Sequence, residues 1–311
     1  MTNTWNRLRA GYRAFKSPIA KTNTRNQYES WWFKHGPKQN NSWLERFCEF
    51  HKIPPLQFIS CFDKRESIHL SKNLKKVFFA PENLKDRFET FEDFMIGEVD
   101  FSMGFEFRNH PKYVRFPLWL LYFTSPDIRN PGERFAAEFS REWDIDRPYF
   151  CSQIASHDER GNGRGLRTSC SSELAEIGSI LNAGKLLNNT TLLQEKYHNN
   201  SSFFLRDCRF NICLENSSAP GYTTEKIFRP LQSGAIPIYW GDPIPEPQIL
   251  RPDCYLRFDP SNPEMLKHQV MALEENRSLR ADFLRQPKLQ QGAADWINTI
   301  HNDLAETLRR L

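Results

Sequence analysis

Between Asn211 and Pro243 the chain reads strand, loop, helix, strand, loop, and few folds accept that order in so short a space. Ile212–Leu214 is an apolar run ending at a carboxylate, Glu215, and an amide, Asn216. Pro220-Gly221 marks a turn. Thr223 and Thr224 stand where they can cap a helix that begins near Glu225. Ile227 and Leu231, one turn apart, give that helix an apolar side, and Gly234 stops it. Ala235–Trp240 then reads as a buried strand closing at Gly241-Asp242-Pro243. This is half of a nucleotide-binding α/β layer with its polar residues gathered at one helix N-terminus. Unsatisfied amides and the helix dipole favour phosphate there. Pro230 inside the helix removes one backbone bond and should bend it.

The rest of the chain is consistent with that layer. Its 311 residues are enough for two domains, and 39% hydrophobic content is adequate for their cores. A net charge of +4 suits anionic small ligands or a membrane surface and does not call for nucleic acid. Seven cysteines, an odd number with no CxxC pair, point to free thiols in a reducing compartment. No apolar run is long enough to span a bilayer, and no signal-peptide pattern is present. The expected location is the cytoplasm.

Residues 1–25 carry Arg7, Arg9, Arg13, Lys16, Lys21 and Arg25 and no acidic residue. Trp5, Leu8, Tyr12, Phe15 and Ile19 recur at helical spacing up to Pro18 and just past it. Such a basic amphipathic segment could rest on an anionic membrane, peripheral to the inner membrane, or dock its apolar face on the domain. Residues 26–145 read as a first α/β domain. Trp43–His51 is helical, with Trp43, Phe47 and Phe50 on one side. Leu56–Cys61 and Val77–Phe79 are strands, and Ala80-Pro81-Glu82-Asn83 leaves the carboxyl end of the second. Ligands of open α/β sheets bind outside such ends. Phe94–Phe107 reads as one or two strands, and residues 124–148 as a polar linker region.

Residues 146–285 form the second domain, opened by a strand over Tyr149–Ala155. Gly161, Gly163 and Gly165 make the following loop mobile, able to order on a ligand. Arg167-Thr168 opens a helix to about Leu181. Further helices cover Asn262–Asn276 and Ser278–Leu284, and residues 286–311 hold a last one. Asp144-Ile145-Asp146 matches a manganese-binding DxD pattern, but three residues recur by chance, and we read them as linker surface. The eight histidines contain no HxxxH pair, so no metal site is assigned.

Several of these segments together resemble one family. Glu215-Asn216-Ser217, Gly221-Tyr222-x-Thr224-Glu225-Lys226 and Gly234-Ala235-x-Pro237-x-x-x-Gly241 resemble, in order and spacing, the donor-binding motif of the bacterial-type α-1,3-fucosyltransferases. Tyr113-x-Arg115-x-Pro117-Leu118, Gly184-Lys185-x-x-Asn188 and Ser30-Trp31-Trp32 are similar to further segments of that family. The resemblance implies an α/β fold of two Rossmann-like domains facing a cleft (GT-B type). It implies an inverting enzyme moving fucose from GDP-fucose to a glycan acceptor, with no cofactor required and any metal at most stimulatory. Animal and plant members carry an N-terminal anchor, so this chain is expected to be a soluble bacterial-type or trimmed form.

The resemblance also implies residue roles. Phe78-Phe79-x-x-Glu82-Asn83 is similar to the segment whose glutamate is the proposed general base, which makes Glu82 the catalytic candidate and Glu106 its runner-up. Arg167 would bind phosphate, with Tyr222 near the diphosphate and Lys226 at the helix start. Asn216 would lie in the nucleotide pocket, Glu225 would touch the ribose or sugar, and Lys185 is a weaker donor-side candidate. Two other readings stay open. One is a transferase of the same architecture with another nucleotide-sugar donor. The other is a non-catalytic glycan- or nucleotide-binding protein.

Overall fold

The computed structural model describes residues 25–31, 42–143 and 146–311. Residues 1–24 of the basic segment, Trp32 and the Asp144-Ile145 half of the DxD pattern lie outside the described residues. Two five-stranded, wholly parallel sheets organise the chain. The first holds β1 (Gln27–Glu29), β2 (Leu56–Ile59), β3 (Lys75–Ala80), β4 (Phe101–Gly104) and β5 (Tyr113–Arg115), adjacent in that order. The second holds β6 (Tyr149–Gln153), β7 (Ile180–Asn182), β8 (Cys208–Ile212), β9 (Ile236–Tyr239) and β10 (Leu256–Arg257), in the spatial order β10-β9-β8-β6-β7.

The helices are α1 (Trp43–Phe50), α2 (Leu84–Arg87), α3 (Trp119–Phe123), α4 (Pro131–Phe139), α5 (Leu166–Ala175) and α6 (Leu192–Glu195). They continue with α7 (Ser201–Arg206), α8 (Glu225–Ser233), α9 (Pro263–Glu275), α10 (Arg277–Arg285) and α11 (Ala293–Arg310). The helices bury both faces of the sheets, which is why the strands read as apolar runs rather than alternating ones. In β3, Val77 and Phe79 join one apolar cluster while Phe78 and Ala80 join another on the opposite face.

The second sheet has a reversal of strand order. The chain passes from β6 out to β7, then returns to lay β8 on the other side of β6. Ligand crevices of open parallel sheets form outside the carboxyl ends of the strands at such a switch. The loops leaving β6 and β8 end at the N-termini of α5 and α8, so two helix starts converge there.

Both domains share one apolar cluster. Phe228 of α8 stacks on Trp119 of α3 with centroids 4.5 Å apart. The last helix, α11, turns back onto the first domain: Arg309 Nε donates to the His51 carbonyl at 3.0 Å, and Gly132 of α4 presses against Ala294.

Some local expectations differ from the structure. The helix opened by Leu166 ends at Ala175 rather than near Leu181, which lies in β7. Gly178 approaches the Phe150 ring too closely for a Cβ, and the chain turns there. Residues 124–148 are more than a linker, since α4 buries Phe135 and Phe139. Phe94–Phe107 supplies one strand, β4, within the expected one or two. Phe50 is exposed, while Leu44, Phe47 and Cys48 form the buried side of α1. All seven cysteines are buried, unpaired thiols.

Candidate active site

β3 and β4 run in register with Ala80 opposite Gly104, and two residues beyond each lies a glutamate, Glu82 and Glu106. Their surroundings differ. Glu82 Oε2 accepts a 2.9 Å hydrogen bond from the Tyr222 hydroxyl of the second domain. Asn83, which caps α2, reaches across in the same way, its Nδ2 donating to Ser217 Oγ at 3.0 Å. Glu106 is instead paired with its neighbour Arg108 at 3.2 Å and makes no described contact with the second domain. The carboxylate that meets the donor motif is Glu82.

Tyr222 is fully buried, its ring edge-on to Phe105 of the first domain at 4.9 Å. Burial, with the Glu82 and Glu215 carboxylates beside it, pushes its phenol well above the ordinary range, so it acts as a hydrogen-bond donor. Gly221 precedes it at φ +82°, and a Cβ there would lie 2.8 Å from the Phe105 carbonyl oxygen. Only glycine lets this turn lie against the first domain.

The start of α8 is built around Glu215, whose side chain is wholly enclosed. Its carboxylate accepts from the Thr224 amide at 2.7 Å, the Thr224 hydroxyl at 2.8 Å and Lys226 Nζ at 2.9 Å. Thr224 occupies the N-cap position, but its hydroxyl is turned to Glu215 rather than capping the helix as its residue type predicts. Burial pushes the Glu215 carboxyl up, and the Lys226 ammonium pulls it back. Burial opposes charge on Lys226, but Glu215 and Glu225 outweigh it and hold the ammonium above its ordinary range. Burial likewise opposes charge on Glu225, where Lys226 and Arg229 prevail and keep the carboxyl below its ordinary value. Lys226 Nζ also donates to Thr224 Oγ1 at 3.0 Å, which leaves its third proton uncommitted, and 26% of its side chain is exposed. Among the described residues nothing accepts from the backbone amides of Lys226 and Ile227. A cation and free amides at a helix start form an anion site.

The start of α5 is different. Asp158 Oδ1 and Oδ2 already accept from the Arg167 and Thr168 amides at 3.2 and 2.8 Å. Arg167 is buried, and its guanidinium bonds the Leu214 carbonyl through Nε and Nη2 at 3.3 and 2.9 Å. It also donates to the His157 carbonyl at 2.8 Å and to Asn216 Oδ1 at 2.6 Å. Burial holds its pKa below the ordinary value, and Glu215 and Asp158 recover only part of the loss. Arg167 thus ties the loop after β6 to the loop after β8, next to the residue that holds Lys226. Four of its five N–H protons are engaged, so a diphosphate oxygen would take the fifth or displace Asn216.

The glycine-rich loop is tied down too. Asn162 exchanges bonds with Ser218 at 3.0 and 2.7 Å, and the Gly163 amide reaches the Asn216 carbonyl at 3.3 Å. Lys185 lies in the turn after β7, exposed and without an ion pair among the described residues. Sequence reasoning missed Asp158 and Glu246. Neither belongs to a recognisable motif, and each finds its partner only in the fold. Glu246 binds Arg115 through both oxygens, at 2.7 and 3.0 Å. Asp146, the described acid of the DxD pattern, pairs with Arg277. Among the described residues no cluster of three or more metal-ligating side chains occurs. A cavity of about 640 Å³ lies between residues 136–143 and 281–294, away from all these side chains.

Comparison with known proteins places the chain among known sequences and folds. The profile of the glycosyltransferase family 10 (fucosyltransferase) C-terminal region matches residues 149–291, and that of the alpha-(1,3)-fucosyltransferase FucT N-terminal domain matches 33–122. Alpha-(1,3)-fucosyltransferase FucT of Helicobacter pylori is 26% identical over 196 residues, 55% of this chain and 38% of that protein. Alpha-(1,3)-fucosyltransferase B of Drosophila melanogaster is 36% identical over 128 residues, 38% of this chain and 29% of that protein. The chain therefore spans under two fifths of the length of these relatives. The crystal structure of an alpha1,3-fucosyltransferase with GDP-fucose covers 94% of both chains with a TM-score of 0.58 at 20% identity, a likeness of fold.

Proposed function

The chain belongs to the glycosyltransferase family 10 fucosyltransferases, and from that footing we propose that it transfers L-fucose from GDP-fucose to a glycan hydroxyl. We read the acceptor atom as O3 of N-acetylglucosamine or glucose, the linkage as α-1,3 and the reaction as inverting. Glu82 takes the proton of the acceptor hydroxyl. The oxygen attacks C1 of fucose from the face opposite GDP, the C1–O bond to the β-phosphate breaks, and GDP leaves with the bonding electrons. The sugar ring acquires oxocarbenium character as charge builds on the diphosphate. Lys226 and the free amides of α8 meet that charge. Arg167 braces the two loops and offers its remaining N–H, while Asn216, Tyr222 and Glu225 line the donor side and Lys185 its rim.

One observation carries this reading. A carboxylate from the end of β3 lies 2.9 Å from the donor-motif Tyr222, beside a helix start with an incompletely engaged lysine. Such an arrangement supplies a base on one side of the gap and an anion site on the other.

The test is a GDP-fucose transfer assay on a glycan array, with product linkage determined. Glu82→Gln should retain GDP binding and lose turnover by about 100-fold or more, the scale of general-base catalysis. Unchanged turnover discards Glu82 as the base, and stronger thermal stabilisation by UDP than by GDP discards the donor. Charge on the leaving group is assigned to side chains rather than to a metal, so EDTA-treated enzyme should keep most of its activity. The same reading has the protein act in the cytoplasm, with residues 1–25 resting on an anionic membrane. No helix of the described residues is long and apolar enough to cross one. Co-sedimentation with liposomes that does not depend on anionic lipid would reject that contact.

A further inference from the structure

We propose that Arg115 and Tyr222 are positioning residues that aim the Glu82 carboxylate: Arg115 fastens the Gly221-Tyr222 turn to the first domain, and Tyr222 holds the carboxylate itself. The inference rests on the reading of Glu82 as base and goes beyond it by naming what sets the base's orientation.

Arg115 is the last residue of β5. Its Nη1 and Nη2 donate to Glu246 Oε2 and Oε1 at 3.0 and 2.7 Å, and Nη2 also donates to the Gly221 carbonyl at 3.2 Å. The guanidinium lies over the Phe107 ring, 4.4 Å from its centroid. A planar fork suits this two-point grip, which an ammonium cannot reproduce. Glu246 is fully buried and sits at φ +44°, in the left-handed region where glutamate is disfavoured. A strained backbone around a buried carboxylate persists only where its surroundings over-determine it. Here the over-determining partner comes from the other domain.

The turn that Arg115 grips is held from both sides. Gly221 donates its amide to Asp242 Oδ2 of its own domain at 2.9 Å and offers its carbonyl to Arg115. The next residue, Tyr222, has its ring locked against Phe105 and its hydroxyl on Glu82. A path therefore runs from the end of β5 through Arg115 and the Gly221 carbonyl to the Tyr222 hydroxyl and back to the residue two beyond β3. Tyr222 engages Glu82 Oε2 and leaves Oε1 for an acceptor proton. The base is aimed only when the donor-motif turn is seated, which couples the acceptor side to the donor side.

The experiment compares Tyr222→Phe, Arg115→Lys and the double variant with the wild type. Its readouts are steady-state kinetics with GDP-fucose and a glycan acceptor, calorimetric GDP titration, and hydrogen exchange of residues 219–224. Tyr222→Phe should lower kcat about tenfold or more, a larger factor than any rise in the GDP dissociation constant, the signature of a lost orienting contact. Arg115→Lys should lower kcat comparably and raise exchange across 219–224. The double variant should be little worse than either single one, since both act on one path. An unchanged kcat in Tyr222→Phe overturns the proposal. So does a GDP-affinity loss that accounts for the whole fall in kcat/KM, since Tyr222 would then serve the donor alone. A wild type inactive with GDP-fucose would reject the function instead. In that case unaltered exchange at 219–224 in Arg115→Lys still overturns the Arg115 grip, and raised exchange supports it.

Discussion

Glu215→Gln should destabilise the protein by about 3 kcal/mol, although the side chain touches no solvent and keeps its shape. The carboxylate receives three donors: the Thr224 amide, the Thr224 hydroxyl and Lys226 Nζ, all within 2.9 Å. A glutamine offers one acceptor oxygen, and its amide nitrogen must face one of those donors. Lys226 then keeps its charge but loses its bonded counter-ion, with Glu225 left nearby to offset it. Severing a buried pair costs about 3–5 kcal/mol. The 26% exposure of the Lys226 side chain lets it recover some hydration, which selects the lower end. For a domain of about 150 residues each kcal/mol moves Tm by about 2–4 °C, so a fall of about 6–12 °C is expected. Adding Lys226→Met removes the stranded charge. The double variant should be more stable than the sum of the single losses by about 1 kcal/mol or more. The assay is thermal and urea unfolding of the four proteins followed by circular dichroism, with GDP titrations in parallel. Glu215→Gln should also weaken GDP binding, because the residue that fixes Lys226 is gone. Single losses that add within about 0.5 kcal/mol would refute the reasoning, since they would mean that the two side chains do not share a fate.

Three further outcomes are expected. Burial, aided by the charge of His51, pushes the His301 imidazole down to about 3, whereas the unfolded chain titrates near the ordinary value of 6.5. The unfolded state then binds a proton that the native state refuses, so stability is full above about pH 6.5 and is lost as pH falls towards 3, by about 2 kcal/mol at pH 5. His301→Gln should flatten the fall in Tm between pH 7 and pH 5, and an unaltered slope would remove His301 as its source. Gly132→Ala should lower Tm by several degrees with GDP binding kept, because its Cβ would lie 2.0 Å from the Ala294 carbonyl oxygen where α4 meets α11. Equal melting curves would show that the two helices can part without loss. Glu106→Gln should keep turnover within about threefold, since Glu106 faces Arg108 rather than the donor motif, and a loss matching that of Glu82→Gln would reverse their roles.

Local chemistry alone determined much of this protein. Short apolar strands, Gly234 ending α8 and the turn at Pro220-Gly221 are set by residues within a few positions of one another, where side-chain period and allowed backbone angles act. The carboxylates beyond β3 and the lysine at the start of α8 were legible for the same reason. Tertiary structure decided what these groups face. Glu82 and Glu106 are equivalent by register, and their partners distinguish them: Tyr222, 140 positions from Glu82, for one and the neighbouring Arg108 for the other. Arg167 and Lys226 both stand at helix starts, yet Asp158 occupies the amides of one while those of the other remain open. Thr224 has the side chain of a helix cap and gives its hydroxyl to Glu215, because a buried carboxylate without donors costs more than a missing cap. Pairings such as Arg115 with Glu246, 131 positions apart, leave no local period, so they become visible only when the two sheets are brought face to face.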